Sequence, residues 1–338
     1  MAIRYLDGGS GLPADPLVTA VYAQMRREFG IVSEPFRLQA PAPPILAAAW
    51  ASLREAVLGG TVSRGVKETV AAAISQLNRC PYCVDAHTSL LHAAGGREAA
   101  WALRRGRQTI ADPALRAAAA WAAASRSPGA PILAAPPFGP AEAPEMIATA
   151  ACFHYINRLA TIFLDATPFP TRARLLQAPI VLFTSRFFAP RVRAKLAPGE
   201  SLAWLAPAEL PADLAWARPR PEIAVPFASL AAAVAAEAGE MLGETTAERI
   251  AAWTGEDPPL GAAWVDEGVS GLTGRHRPAA RLALLTALAP YRVDAGEVAA
   301  FRAAWPGDRA LVAVTAWASF TAARRITSWL DPSRGRER

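Results

Sequence analysis

At 338 residues, with 52% apolar and 19% charged side chains, the chain has the material for a sizeable core, or for two, and disorder is not its default. The net charge is +6, yet lysine and arginine are scattered and form no long basic run before the tail, so nucleic-acid binding is not expected. Three cysteines are too few for a disulfide framework, and a Cys-x-x-Cys pair with one spare thiol suits a reducing cytoplasm.

The segment Met1 to Gly11 has no apolar stretch of signal-peptide length, and no run of about 18 apolar residues follows it. The expectation is a soluble, cytoplasmic protein with no membrane partner. Residues 16–29 place apolar side chains at helical spacing and stop at Gly30. Pro43 and Pro44 open a second helix through Leu58, which Gly59 and Gly60 end. Ser63 reads as the N-cap of a third helix that carries Glu68 and runs to about Leu77. Asn78 and Arg79 then break the helix and reverse the chain.

The next stretch, Cys80-Pro81-Tyr82-Cys83, concentrates the chemistry. Pro81 fits the first position of a helix, so Cys80 sits at its N-cap, Cys83 in its first turn, and His87 one turn further on the same face. Free backbone N–H groups and the positive end of the dipole favour thiolate there. His87 can serve Cys83 as a base or proton relay. If the two helices pack antiparallel, Glu68 is brought back beside His87; otherwise it is a surface acid paired with Arg64 or Lys67. The pattern points to a dithiol that cycles to a disulfide, but other readings of Cys-x-x-Cys compete. Glutaredoxins use this tetrapeptide after a strand, and the flanks here look helical. Covalent haem needs His where Val84 stands. Zinc could take Cys80, Cys83 and His87, but no second ligand pair closes such a site. Two inert buried cysteines are the remaining possibility.

Glu68, Cys80, Cys83 and His87, followed by an apolar run to Ala93-Ala94-Gly95, resemble the Glu…Cys-x-x-Cys-x-x-x-His motif of the carboxymuconolactone decarboxylase superfamily, alkylhydroperoxidase D branch. Phe36-Arg37-Leu38 with Pro41 to Leu46 resembles the start of that family's first long helix. Glu145 to Leu164, including Phe153, His154 and Arg158, resembles the helix closing its core. The likeness spans residues 15–165. It implies a peroxidatic thiolate at Cys83, which attacks the peroxide O–O bond and becomes a sulfenic acid, and a resolving thiol at Cys80. It further implies a proton relay through His87 oriented by Glu68, and an external dithiol reductant such as a lipoyl protein or a thioredoxin-like partner. The substrate would be a hydroperoxide. Tyr82 departs from the pattern, because active members carry histidine between the cysteines, and a phenol with pKa near 10 is not the same proton donor. Tyr82 therefore keeps open a lactone or keto-acid reaction, or a redox-sensing binding role.

Beyond the motif, His92 points to a different face, Cys152 reads as an apolar filler, and His154 as a residue that at most supports the catalytic groups from behind. Trp50, Tyr82 and Phe153 are candidate pocket-lining residues. Residues 97–107 and 112–125 are short Ala-rich helices, and 129–143 is a proline-rich loop within the same unit. From 171 to 226 the chain reads as an apolar connector, with one amphipathic helix over Arg172–Phe188 followed by helix-breaking prolines from Pro190 to Pro226. Phe320-Thr321-Ala322-Ala323-Arg324 aligns with Phe153 to Asn157, and Pro278-Ala279-Ala280-Arg281 with Pro113 to Arg116. Where a second Cys-x-x-Cys would fall, the chain reads Glu244 to Arg249. The expected fold is all-α: an alkylhydroperoxidase D-like bundle over 1–170, the connector 171–226, and a degenerate second copy over 227–331. A homo-oligomer is expected. No flavin, nicotinamide or metal is implied, since no Gly-x-Gly-x-x-Gly follows a strand. The tail, Ser333 to Arg338, reads as a frayed basic end.

Overall fold

The computed structural model describes residues 3–7, 15–107, 109–169 and 174–331, with side chains undescribed at 174–177. Asp15 caps α1 (Pro16–Glu28) by accepting from the backbone N–H groups of Leu17 and Val18 at 2.8 and 3.1 Å. A short α2 (Glu34–Arg37) follows, then α3 (Pro43–Leu53), which continues through a π-helical turn, Arg54–Leu58. Ser63 caps α4 (Arg64–Leu77) as its position implied, and α5 runs over Pro81–Ala93. Three shorter helices, α6 (Arg97–Arg104), α7 (Pro113–Ala123) and α8 (Pro131–Ala134), lead into the long α9 (Ala143–Phe163). Then come α10 (Arg174–Arg193), α11 (Pro221–Ala238), α12 (Glu244–Ala252), α13 (Ala263–Gly268), α14 (His276–Leu288), α15 (Ala295–Ala304) and α16 (Asp308–Leu330). No strand occurs among the described residues, so the all-α expectation holds.

α9 organises the packing. Nineteen of its 21 residues are buried, and α16, α4 and α3 pack around it. α4 lies on α5 and α7, while α11 bridges α3 and α16. One cluster of buried side chains therefore runs from Val21 to Leu330 through both halves of the chain. α11 is 18 residues long and apolar enough to span a bilayer by composition, which the reading of apolar run lengths did not anticipate. Its buried face, including Phe227 and Leu230, packs against α3 and α16, which accounts for that composition.

Prolines interrupt less than the sequence suggests. α10 continues past Phe188 to Arg193 with Pro179 and Pro190 inside it, and α11 contains Pro226. A helical proline removes one backbone hydrogen bond and crowds the preceding turn, a local cost that packing can outweigh. α10 finds that packing on α5. Residues 170–173, the expected start of that helix, and the tail from 332 lie outside the described residues.

A buried ion pair fixes the start of α4. Gly60 adopts φ +84°, and the space a side chain would occupy holds the carboxylate of Glu145 from α9. That carboxylate accepts from the Thr61 and Val62 N–H groups at 2.9 and 3.0 Å and pairs with Lys67, which also donates to the Gly59 carbonyl. Burial lowers the Lys67 pKa from its ordinary value, and Glu145 opposes that shift.

Candidate functional site

The dithiol is placed by a tight reversal between α4 and α5. Asn78 ends α4, Arg79 takes the left-handed conformation at φ +54°, and the Cys80 N–H donates to the Ser75 carbonyl at 2.9 Å. A non-glycine residue in that region is uncommon and marks a reversal held by its surroundings. Cys80 then stands at the N-cap of α5 and Pro81 at its first position. Both thiols are free and buried, and the two sulfurs lie 2.8 Å apart.

Burial opposes a charge on either sulfur, but they resolve differently. At Cys80, hydrogen bonds from the Cys83 side chain and backbone outweigh burial and hold the pKa below its ordinary value. At Cys83, burial and the neighbouring Cys80 sulfur push it well above. Of the two sulfurs, Cys80 is therefore the one that loses its proton more readily. Cys83, however, is the sulfur that reaches the open cavity.

That cavity has a volume of about 710 Å³ and lies between the core and α10. Its walls are mainly apolar, with Phe36, Trp50, Phe153, Phe169, Phe183 and Phe188 among them. The three pocket residues anticipated from sequence, Trp50, Tyr82 and Phe153, all line it. Cys83 and His87 are placed together in the same wall. α4 does pack against α5, and it brings Glu68 to His87, with Oε2 2.7 Å from Nδ1. The His87 ring meets Phe153 edge-on with centroids 4.4 Å apart. Glu68 is fully buried; burial works to raise its pKa, but Arg64 and then His87 outweigh that, so the carboxyl stays ionised below its ordinary range. The Arg64 Nε donates to Glu68 Oε1 at 2.6 Å, so one carboxylate holds both the arginine and the histidine.

Tyr82 is fixed elsewhere. Its hydroxyl donates to Glu34 Oε2 at 2.7 Å, and burial followed by the Glu34 charge pushes its pKa far above the usual phenol value. His154 does not face the cavity. It is buried behind the dithiol, with Nδ1 3.1 Å from Asn78 Nδ2 and Nε2 2.9 Å from Ser125 Oγ. His92 lies outside the cavity wall, and Cys152 is buried against Tyr155 and Phe227 with its pKa raised by burial. Among the described residues no group of three or more His, Cys, Asp or Glu side chains is placed to hold a metal.

Residues 44–124, which contain Glu68, both motif cysteines and His87, match the carboxymuconolactone decarboxylase family. Over 330 residues the chain is 42% identical to a Mycobacterium tuberculosis protein named alkyl hydroperoxide reductase, covering 97% of this chain and 95% of that one. The chain belongs to the carboxymuconolactone decarboxylase family. No solved structure matches it. The long alignment shows that the extension beyond the family's matched segment, through α16, is shared with the mycobacterial relative.

Three side chains around this family member's site escaped the sequence reading as site residues. Glu34 takes the Tyr82 hydroxyl, Arg64 shares Glu68 with His87, and Asn157 works against the upward push on the Cys83 pKa. The Arg64 and Glu68 spacing of four on one helix was a usable signal. Nothing in the sequence ties Glu34 or Asn157 to the motif.

Proposed function

We propose that the protein is a thiol-dependent peroxidase that reduces an organic hydroperoxide with its Cys80–Cys83 dithiol. The observation that carries this reading is the meeting of Cys83 and His87 in one wall of a large apolar cavity, with Cys80 directly behind. The 42% identical relative named alkyl hydroperoxide reductase supports the reaction class.

The cavity receives the apolar body of the hydroperoxide and presents its O–O bond to Cys83. Transfer of the Cys83 proton, to Cys80 or to His87 Nε2, makes the cavity-lining sulfur the nucleophile. Glu68 stabilises a positively charged imidazole and holds its orientation. The Cys83 sulfur attacks the distal oxygen, the O–O bond breaks, and the alkoxide takes a proton to leave as the alcohol. Cys80 then attacks the Cys83 sulfenic acid; a disulfide forms and water departs. An external dithiol returns two electrons and two protons. Cys83 lies in a cavity wall and Cys80 is buried behind it, neither on the surface, which favours a slender lipoyl arm over a folded thioredoxin-like partner.

The domain arrangement forms part of this proposal. The site belongs to the first bundle, 1–170; residues 171–226 connect; and 227–331 form a degenerate copy that covers its apolar faces. One observation favours a non-peroxidatic reading: Tyr82, bound to Glu34, supplies no proton near neutral pH. Peroxide consumption driven by dihydrolipoamide separates the two. Turnover of cumene hydroperoxide that disappears in Cys83→Ser supports the peroxidase; turnover that survives Cys83→Ser contradicts it.

A further inference from the structure

α10 is apolar on two faces, and the protein covers only one of them. Val181, Ser185, Phe188 and Val192 are buried at helical spacing, and Phe188 and Val192 pack against Leu90 and Ala93 of α5 and Phe29 at the end of α1. The opposite stripe carries Leu182, Phe183 and Phe187, which are 50%, 75% and 41% exposed. Ile31 adds a fourth large apolar side chain at 38%, and the turn before it is tied to α10, because the Arg191 side chain lies over Gly30. Phe183 and Ile31 line the cavity and also reach solvent, so they mark its mouth. Single exposed apolar residues need no explanation, but a group gathered around one opening does.

The charge of this region is equally one-sided. Residues 166–199 contain no aspartate or glutamate, and they hold Arg172, Arg174, Arg186, Arg191, Arg193 and Lys195. Of the 35 lysines and arginines that leaves 29 elsewhere, which the 29 acids of the chain balance, so the whole net charge of +6 belongs to this segment. Arg186 and Arg193 are exposed on the same stripe as the aromatics, and Arg191 lies over the Phe187 ring, 4.9 Å from its centroid. Acids on the neighbouring elements are already engaged: Glu28 with Arg54, Glu34 with Tyr82, Asp85 with Arg104 and Glu200 with Arg27. A two-fold contact with a second copy would set these cations against their own images with no acid to meet them. An anionic bilayer meets both features, since its headgroups attract the arginines and its acyl region accepts phenylalanine and leucine.

We propose that the outer face of α10 docks on an anionic lipid surface, turning the cavity mouth toward the acyl region so that hydroperoxides carried on lipid chains enter from the membrane. The docking goes beyond the peroxidase reading, and the choice of substrate rests on it. A basic, aromatic helix of this kind lies along the interface instead of crossing it, and its binding is reversible; apolar run length, which detects spans, does not register it. An acyl chain passes Phe183 and Ile31 and brings its O–O bond to Cys83 in the same cavity wall. The lipid hydroperoxide is reduced to its alcohol, water is released, and the dithiol is oxidised to the disulfide.

The test sediments the full reduced chain with vesicles of phosphatidylcholine alone, and with vesicles of equal parts phosphatidylcholine and phosphatidylglycerol. Binding is expected to the anionic vesicles only, and should fall steeply as salt is raised. Leu182→Ser with Phe187→Ser, both outside the cavity wall, should weaken it at least about 10-fold. Arg186→Gln with Arg193→Gln should weaken it about 30-fold. Both double variants should react normally with cumene hydroperoxide in solution, but slowly with phosphatidylcholine hydroperoxide held in anionic vesicles. No sedimentation with anionic vesicles overturns the proposal and leaves the face to a protein partner. Binding that the variants leave intact, with helix content retained by circular dichroism, overturns it as well; if one double variant does not fold, the other decides. Self-association in size-exclusion chromatography that Leu182→Ser with Phe187→Ser abolishes, without vesicle binding, gives the face to a second copy and is equally contradictory. Bound protein that reduces cumene hydroperoxide but not the lipid hydroperoxide overturns the substrate assignment. Vesicle binding requires no peroxide, so binding without reduction of either hydroperoxide would sink the peroxidase reading and leave the docking surface standing.

Discussion

α5 and α12 are each followed by a short helix and then by a helix that carries Pro-Ala-x-Arg, α7 or α14. Their ends differ completely. α5 starts at a thiol cap behind a left-handed Arg79 and turns Cys83 and His87 toward a cavity roofed by α10. α12 starts at Gly243, buries only Thr246 and Ile250, and carries no cysteine or histidine. It packs on α14 and α16 as structural support. The helical frame by itself thus specifies no chemistry; under the proposed reading it comes from a thiol cap, a proline, His87 and the Glu68 that α4 brings to it.

The comparison can be broken or sharpened by substitution. Cys83→Ser has the largest expected effect: peroxide turnover falls by at least about 1000-fold in an assay of hydroperoxide consumption. Glu68→Gln removes the charge that orients His87, and kcat/KM is expected to fall about 10- to 100-fold, with a changed pH profile. The same variant tests stability. The Glu68 pKa is lowered on folding, so its contribution is present above the ordinary carboxyl pKa and is lost as pH falls through the folded value; Glu68→Gln should flatten that acid limb in urea unfolding.

Lys67→Met leaves Glu145 buried without its ammonium partner, and denaturant unfolding should show a loss of about 3 kcal/mol with cavity chemistry otherwise intact. His154 gives a smaller, pH-dependent effect. Its pKa is lowered on folding, so the unfolded chain binds the extra proton, and stability falls as pH drops below the ordinary histidine value. His154→Asn should remove that part of the slope. At the lower end, Glu248→Ala on α12 should leave turnover unchanged; a loss there would mean that the second half takes part in the chemistry.

What the sequence made legible was local. The Ser63 cap, the helix carrying Glu68, the thiol cap at Cys80 and the same-face placement of Cys83 and His87 all follow from spacing within one helix or across one turn. The antiparallel approach of Glu68 to His87 needed only a short reversal. Asn157 and Glu34 come from α9 and α2, far from the motif in sequence, and neither shares a periodicity with it. Phe153 and His154 follow one another on α9, about 100° apart around the helix, so Phe153 lines the cavity while His154 meets Asn78 and Ser125. The extent of α10 was obscured for a different reason, since proline statistics describe isolated helices and α10 is held by its packing on α5.

The central claim is tested most directly by mixing the reduced protein with one equivalent of cumene hydroperoxide and following free thiols by time-resolved quenching, beside Cys80→Ser and Cys83→Ser. The account predicts rapid loss of two thiols in the wild type, arrest at a trappable sulfenic acid in Cys80→Ser, and no rapid reaction in Cys83→Ser. Equally slow thiol loss in all three proteins would contradict it.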